Sequence, residues 1–156
     1  MAIHVVLVEP EIPPNTGNIA RSCAATGSVL HLVEPLGFSI DEKSVRRAGL
    51  DYWPYVKLEV HKSLDEFMNK YGDRNLYLAT TKGKHLYSDV EFRDEDMILF
   101  GKETAGLSRE FIKAHEEQAL RIPMSKDTRL RSLNLSNSVN IILFEALRQK
   151  GFPGLE

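Results

Sequence analysis

The sequence predicts an α/β fold, a mostly parallel sheet with helices on both faces, as a single domain over residues 1–156. Three observations lead there. Short apolar runs rich in β-branched residues alternate with stretches of helical periodicity. The first run, Ile3–Val8, is apolar almost throughout, as a strand buried on both faces requires. A chain of 156 residues is also long enough to bury a sizeable core as one unit.

Each element has its own justification. After the first strand, Thr16–Thr26 reads as a helix, stopped by Gly27, and Val29–Val33 as a second strand. Asp41 can cap a short helix through Ala48. Val56–His61 alternates like a strand with one wet face. "SLDE", Ser63–Glu66, is a capping box opening a helix to about Tyr71. Leu76–Thr80 and Met97–Phe100 are further strands, and Ser108 caps a helix to about His115. Ala119–Ile122 is the last strand. A final helix follows, with Leu135, Val139, Ile142 and Ala146 on one face and Gly151 at its stop.

Composition excludes several classes. The net charge of −2 gives no global nucleic-acid signature, so binding of that kind needs a local patch. Cys23 is the only cysteine; it excludes an internal disulfide and fits a reducing compartment, and its apolar helical setting suits packing better than nucleophilic chemistry. The N-terminus "MAIHVVLVEPEIPP" has no basic leader, and its apolar run is too short for a membrane span. A cytoplasmic protein is expected, with no membrane partner.

In open α/β sheets, ligands sit beyond the C-terminal ends of the strands. Four polar loops belong there: Glu9–Arg21, "TTKGKH" after the fourth strand, Gly101–Ser108, and "PMSKDTRLRSLNLSN" after the last strand. Any one could be a plain solvated turn; four on one rim point to a site. The glycine loop "GKETAG" begins like a phosphate cradle, but Leu107 stands where lysine must be. No G-x-G-x-x-G follows the first strand, there is no G-x-S-x-G elbow, and the five histidines match no zinc spacing. No metal is expected. Cations gather at Arg121, Lys126, Arg129 and Arg131, with Arg21, Arg46 and Arg47 joining them if they reach the same side, an arrangement suited to a phosphate backbone.

One feature of the last helix is unusual for a buried element. Its approach and first turns carry Ser132, Asn134, Ser136, Asn137, Ser138 and Asn140, residue types that weaken helix interiors. Together with "NTGNIAR" (Asn15–Arg21) and "FGKETAGLS" (Phe100–Ser108), the stretch "IPM…SLNLSNSV" resembles the three motifs of the SPOUT class of RNA methyltransferases, in order and across nearly the whole chain. "EPEIPPNTGN", "RRAGLDY" and "TTKG" are similar to the branch that 2′-O-methylates the wobble nucleotide of certain tRNAs.

The resemblance implies a C-terminal trefoil knot, which patterning alone would never propose, and a homodimer. It implies S-adenosylmethionine as cofactor and tRNA as substrate. Backbone at Ala79, Gly101, Ile122 and Ser132 is then expected to hold the adenosyl portion. Leu78, Met124 and Leu133 would supply apolar walls, Gly106 would shape the loop, and Asn134 and Asn137 would tie the loops together beside the cofactor. Arg21 takes the family's catalytic position, as a base or as a cation that fixes the 2′-hydroxyl. Glu103 would orient Arg21 or lie near the sulfonium, and Asn15 and Ser132 would position the ribose. Arg46, Arg47, Lys126, Arg129 and Arg131 are the expected RNA contacts. Phe144 replaces a family aromatic that carries a hydroxyl. Tyr52 and Trp53 either stack on a base or pack between loop and sheet. The rival readings are an inactive knotted RNA-binding or assembly protein and a small-molecule enzyme on a nucleotide-binding fold.

Overall fold

The computed structural model describes residues 2–40 and 52–156. The short helix expected after Asp41, and Arg46 and Arg47 with it, lie outside the described residues.

The chain runs β1 (His4–Val8), α1 (Pro13–Thr26), β2 (Val29–Val33), a 3-10 turn (Trp53–Tyr55), β3 (Lys57–His61), α2 (Leu64–Tyr71), β4 (Leu76–Ala79), β5 (His85–Leu86), β6 (Met97–Phe100), α3 (Arg109–Ala114), β7 (Ala119–Arg121) and α4 (Leu135–Gln149). The seven strands form one sheet in the order β3-β2-β1-β6-β4-β7-β5, every pairing parallel. Strand direction thus places the loops after β1, β4, β6 and β7 on one edge.

Alternation in the buried central strands divides the core in two. Val5 and Leu7 point to a layer with Ile19, Ala20 and Cys23 of α1 and Val139, Ile142, Leu143 and Ala146 of α4. Val6 and Val8 point the other way, to Phe67 of α2 and Leu107, with Phe111 and Ile112 of α3 packed against them. Burial pushes the Cys23 thiol up to about 12, which keeps it a core side chain.

Local chemistry sets the helix ends. Ser63 Oγ accepts from Glu66 N at 3.0 Å, and Ser108 Oγ from Phe111 N at 3.1 Å, both as expected. Gly27 and Gly151 stand just past their helices at φ 70° and 76°. Helix α1 begins at Pro13, three residues earlier than the sequence suggests, because proline fits a first turn whose N–H groups lack partners anyway. The two-residue β5 carries no periodicity and is invisible in the sequence.

The wet face expected on β3 is wet at Lys57, half-buried at Glu59 and buried at His61. His61 is 3% exposed and ends a line of imidazoles across β1, β2 and β3. His4 Nδ1 lies 2.8 Å from His31 Nε2, and His31 Nδ1 lies 2.9 Å from His61 Nε2. Ring centroids are 5.1 and 5.2 Å apart, as when the two nitrogens face each other along one line. Glu59, bonded to Tyr71 Oη at 2.7 Å and to Lys70, stands beside His31 and His61. The 2.9 Å gap between the His31 and His61 nitrogens is that of a hydrogen bond.

Burial, reinforced by the nearby His4, pushes His31 down to about 3, and burial also lowers His61. His31 stays neutral in the fold while the unfolded chain takes up protons below about 6.5, and the lowering of His61 acts in the same direction. Stability therefore falls as pH drops through the window from 6.5 to 3, and His31 alone accounts for about 2 kcal/mol of loss by pH 5. Urea unfolding at pH 7 and pH 5 should show the midpoint dropping, with a smaller drop for His31→Asn.

Candidate functional site

A cavity of about 600 Å³ opens at the edge where the four loops meet, within the size range of small-ligand sites. All four loops singled out in the sequence line it. They bring Ile12 and Asn15, Ala79–Lys82, Phe100–Leu107, and Ile122, Met124 and Arg131–Leu135 to one wall. Of the expected cofactor residues, Ala79, Gly101, Gly106, Ile122, Met124, Ser132 and Leu133 line this cavity.

Two expectations are corrected. Leu78 is fully buried with Val6, Leu99 and Phe67, and its side chain is not among those that line the cavity. Its place in the apolar wall is taken by Leu107, Leu135 and Ile142, which line the cavity. The Asn137 side chain is exposed on α4, and what it contributes is its backbone N–H, donated to Asn134 Oδ1 at 3.2 Å.

A polar relay joins the three motif segments. The Glu103 carboxylate accepts from the backbone N–H of Glu11 at 2.8 Å and of Ile12 at 2.9 Å, and from Asn15 Nδ2 at 3.1 Å. Asn15 Oδ1 in turn accepts from Asn134 Nδ2 at 3.0 Å. Asn134 caps α4, its Oδ1 accepting from the N–H of Ser136 and Asn137 and from Ser136 Oγ at 2.7 Å. A second clasp runs the other way: Glu11 Oε1 accepts from the N–H and hydroxyl of Thr104 at 3.0 and 2.8 Å, and these bonds hold its carboxyl below the usual range. The polar opening of α4 is thus mostly accounted for. Asn134 and Ser136 are relay and cap, Asn140 Nδ2 bonds the Ser136 carbonyl, and Ser132 and Ser138 face the cavity.

Two glycines fold the loop after β6. A Cβ on Gly101 would collide with the backbone of Gly106 and Leu107, and Gly106 has φ 67°. The loop closes where Gly106 N donates to Lys102 O at 2.8 Å, which turns its backbone toward the cavity.

Arg21 stands elsewhere. It is exposed on α1, about 9 Å along the helix axis from Asn15, and it is not among the cavity's lining residues. The Glu103 carboxylate does not orient it: the carboxylate is bonded to the Glu11–Asn15 segment, and the Arg21 guanidinium lies over the Tyr52 ring, 4.6 Å from the centroid. Trp53 is half-buried against the core, which is the packing alternative.

The expected cation cluster is smaller than its sequence. Arg129 pairs with Asp127 at 2.7 Å, and Arg121 donates to the carbonyls of Gly83 and Lys84. Lys126 is exposed, and Arg131 lines the cavity. Lys82 and Arg109 also line it and were missed as individual residues, although both sit in or beside loops the sequence marked.

Comparison with known proteins gives one family. Residues 2–144 match the model of the SpoU rRNA methylase family. The tRNA (cytidine(34)-2′-O)-methyltransferase of Escherichia coli strain K12 is 47% identical over 153 residues, covering 97% of this chain and 96% of that protein. A structure described as giving insight into the 2′-OH methylation of C/U34 on tRNA superposes with a TM-score of 0.88 at 40% identity, covering 96% and 97% of the two chains. The SpoU methyltransferase AviRb of Streptomyces viridochromogenes, in complex with AdoMet, gives 0.82 at 29% identity, covering 96% of this chain and 58% of that one.

The relay predicts coupling between residues far apart in sequence. Asn15→Ala and Asn134→Ala should each cost about 1–3 kcal/mol, with a double variant less than additive by at least about 0.5 kcal/mol. Urea denaturation of the four proteins measures it; strict additivity would show that the two amides do not act together.

Proposed function

The chain belongs to the SpoU rRNA methylase family, and from that membership we propose that it 2′-O-methylates the ribose of nucleotide 34, the wobble position of tRNA anticodons. The base is cytidine or a modified uridine, and the methyl donor is S-adenosylmethionine. The observation that carries the reading is one cavity lined by all three motif segments, which Glu103, Asn15 and Asn134 tie to one another.

The residues present suit the donor. The cavity has room for an adenosine with an amino-acid tail, and its walls mix backbone of Gly101, Ile122 and Ser132 with the apolar side chains of Leu107, Met124 and Leu133. When bound, S-adenosylmethionine supplies a methyl group on a positively charged sulfur, a centre that the 2′-oxygen attacks in line with the departing sulfur. The protein's task is then alignment and electrostatics. Holding both partners in line contributes up to about 7–11 kcal/mol, and an apolar wall favours a step in which charge on sulfur disappears. Arg21 presents its guanidinium to the 2′-hydroxyl or adjoining phosphate and stabilises developing negative charge. Asn15 and Ser132 help position the ribose, and Lys126 and Arg131 meet the RNA backbone.

We place the working unit as a cytoplasmic homodimer. Leu130 and Phe144 are 64% and 43% exposed beside and on the elements that build the site, apolar side chains that a second copy would cover. The C-terminal trefoil knot is part of the same reading. What supports it is membership of the family, whose model matches residues 2–144.

Bulk tRNA incubated with labelled donor, then digested to nucleosides, should carry label on a 2′-O-methyl nucleoside from the wobble position. Arg21→Ala should lower the rate at least about 100-fold, and Arg21→Lys should not restore it, because lysine lacks the planar fork. Label confined to a base, or none at saturating donor, would contradict the assignment. Sedimentation at micromolar concentration should give twice the chain mass of 17.7 kDa.

A further inference from the structure

Arg21 is exposed at the end of a long, rotamer-rich side chain, yet the reaction requires its guanidinium at one place. An acidic neighbour is the usual solution, and Glu103 was the natural candidate. That carboxylate is instead bonded to two backbone amides and Asn15. The partner Arg21 does have is Tyr52, whose ring lies 4.6 Å from the guanidinium carbon.

We propose that Tyr52 is the positioning residue of Arg21, an aromatic seat that fixes the guanidinium and leaves its charge and hydrogen-bond donors available to the substrate. The inference rests on the catalytic role given to Arg21 above.

The chemistry favours a ring over a carboxylate. A carboxylate would neutralise the guanidinium and occupy two of its five N–H donors in a bidentate pair. A ring face attracts the cation through its quadrupole and takes no conventional hydrogen bond. Among the described residues, no carboxylate stands within ion-pair distance of Arg21, and its guanidinium donates no hydrogen bond. Full positive charge is what a developing alkoxide needs opposite it.

The seat is itself anchored. Tyr55 N donates to Tyr52 O at 2.9 Å, closing the Trp53–Tyr55 turn, and that turn packs on α1. Trp53, the next residue, is half-buried against the core layer that holds Ile19 and Cys23 of the same helix. Ring and guanidinium therefore hang from parts packed on one another, which fixes their separation. Tyr52 is 38% exposed, open enough for substrate to reach the guanidinium while the ring supports it.

The test is single-turnover methylation of tRNA at saturating donor, with donor affinity measured separately by calorimetry. Tyr52→Leu should slow the methyl-transfer rate about tenfold, with donor affinity and tRNA KM within about twofold of the parent. Tyr52→Phe and Tyr52→Trp should retain the rate, since the ring face and not the hydroxyl does the holding. Adding Tyr52→Leu to Arg21→Ala should change nothing further. Circular dichroism and urea unfolding of each variant establish that it folds; should Tyr52→Leu not fold, the Phe and Trp variants and their Arg21→Ala combinations decide the matter. The proposal is overturned if Tyr52→Phe loses as much as Tyr52→Leu, if the loss falls on tRNA KM alone, as base stacking by Tyr52 would give, or if Tyr52→Leu still slows an Arg21→Ala enzyme tenfold. Retention of activity by Arg21→Ala itself would instead remove the catalytic role of Arg21, a failure read from a different variant.

Discussion

The site depends on three side chains, Glu103, Asn15 and Asn134, bonded in series. They come from the loop after β6, the first turn of α1 and the cap of α4, segments 88 and 119 residues apart along the chain. Each link does two jobs. Glu103 satisfies N–H groups at the start of α1 that have no partner within the helix, and its negative charge suits the positive end of that helix. Asn134 does the corresponding work for α4 through its oxygen while its amide reaches Asn15. Three loops that would otherwise drift independently share one set of hydrogen bonds, and the cavity between them keeps its shape.

That economy explains why the chemistry was legible in the sequence as a cluster of residue types and less legible as individual roles. The rim followed from strand direction and the polar loops that end the strands, and the structure brings those loops to one cavity. Fold class, six of the seven strands, and the helix caps at Ser63 and Ser108 also followed from pattern. Leu78 was expected as an apolar wall beside Ala79; its side chain is buried with Phe67 while Ala79 lines the cavity, a difference set by alternation along β4 that only the register of the strand reveals. Arg129 and Arg121 looked like a cationic surface because a count of four cations against the single Asp127 does not show that this carboxylate pairs with Arg129, or that Arg121 is held by the carbonyls of Gly83 and Lys84. β5 escaped because two residues are too few to show a period.

The far side of the sheet carries a different polar device. His4, His31 and His61 line up across three adjacent strands, under Phe67 and Tyr71. A leucine in each place would pack equally well by volume, but the imidazoles pair nitrogen to nitrogen and so reward one alignment of β1, β2 and β3. A slip of one residue would break both bonds and turn the rings to the opposite face. The same alignment sets where β1 ends, and hence where the loop carrying Glu11 and Asn15 begins. Rigidity on one face of the sheet thereby supports placement at its edge.

Placement is the central issue for a transfer of this kind. The 2′-hydroxyl, the methyl carbon and the departing sulfur must lie in one line, and the protein offers neither a nucleophile of its own nor an obvious base: Cys23 is buried with a thiol held near 12, and no histidine lines the cavity. What it offers is a fixed cup on one side and a guanidinium outside that cup on the other. Arg21 and the cup share helix α1, with Asn15 at the cup and Arg21 about 9 Å further along. A helix transmits position well over two turns, so the bonds that hold Asn15 to Glu103 and Asn134 also fix where the guanidinium starts from. A carboxylate beside Arg21 would set its position more tightly still, but would offset the charge that the role proposed for Arg21 requires. The arrangement found here separates the two demands: carboxylates hold the backbone, and an aromatic ring holds the cation.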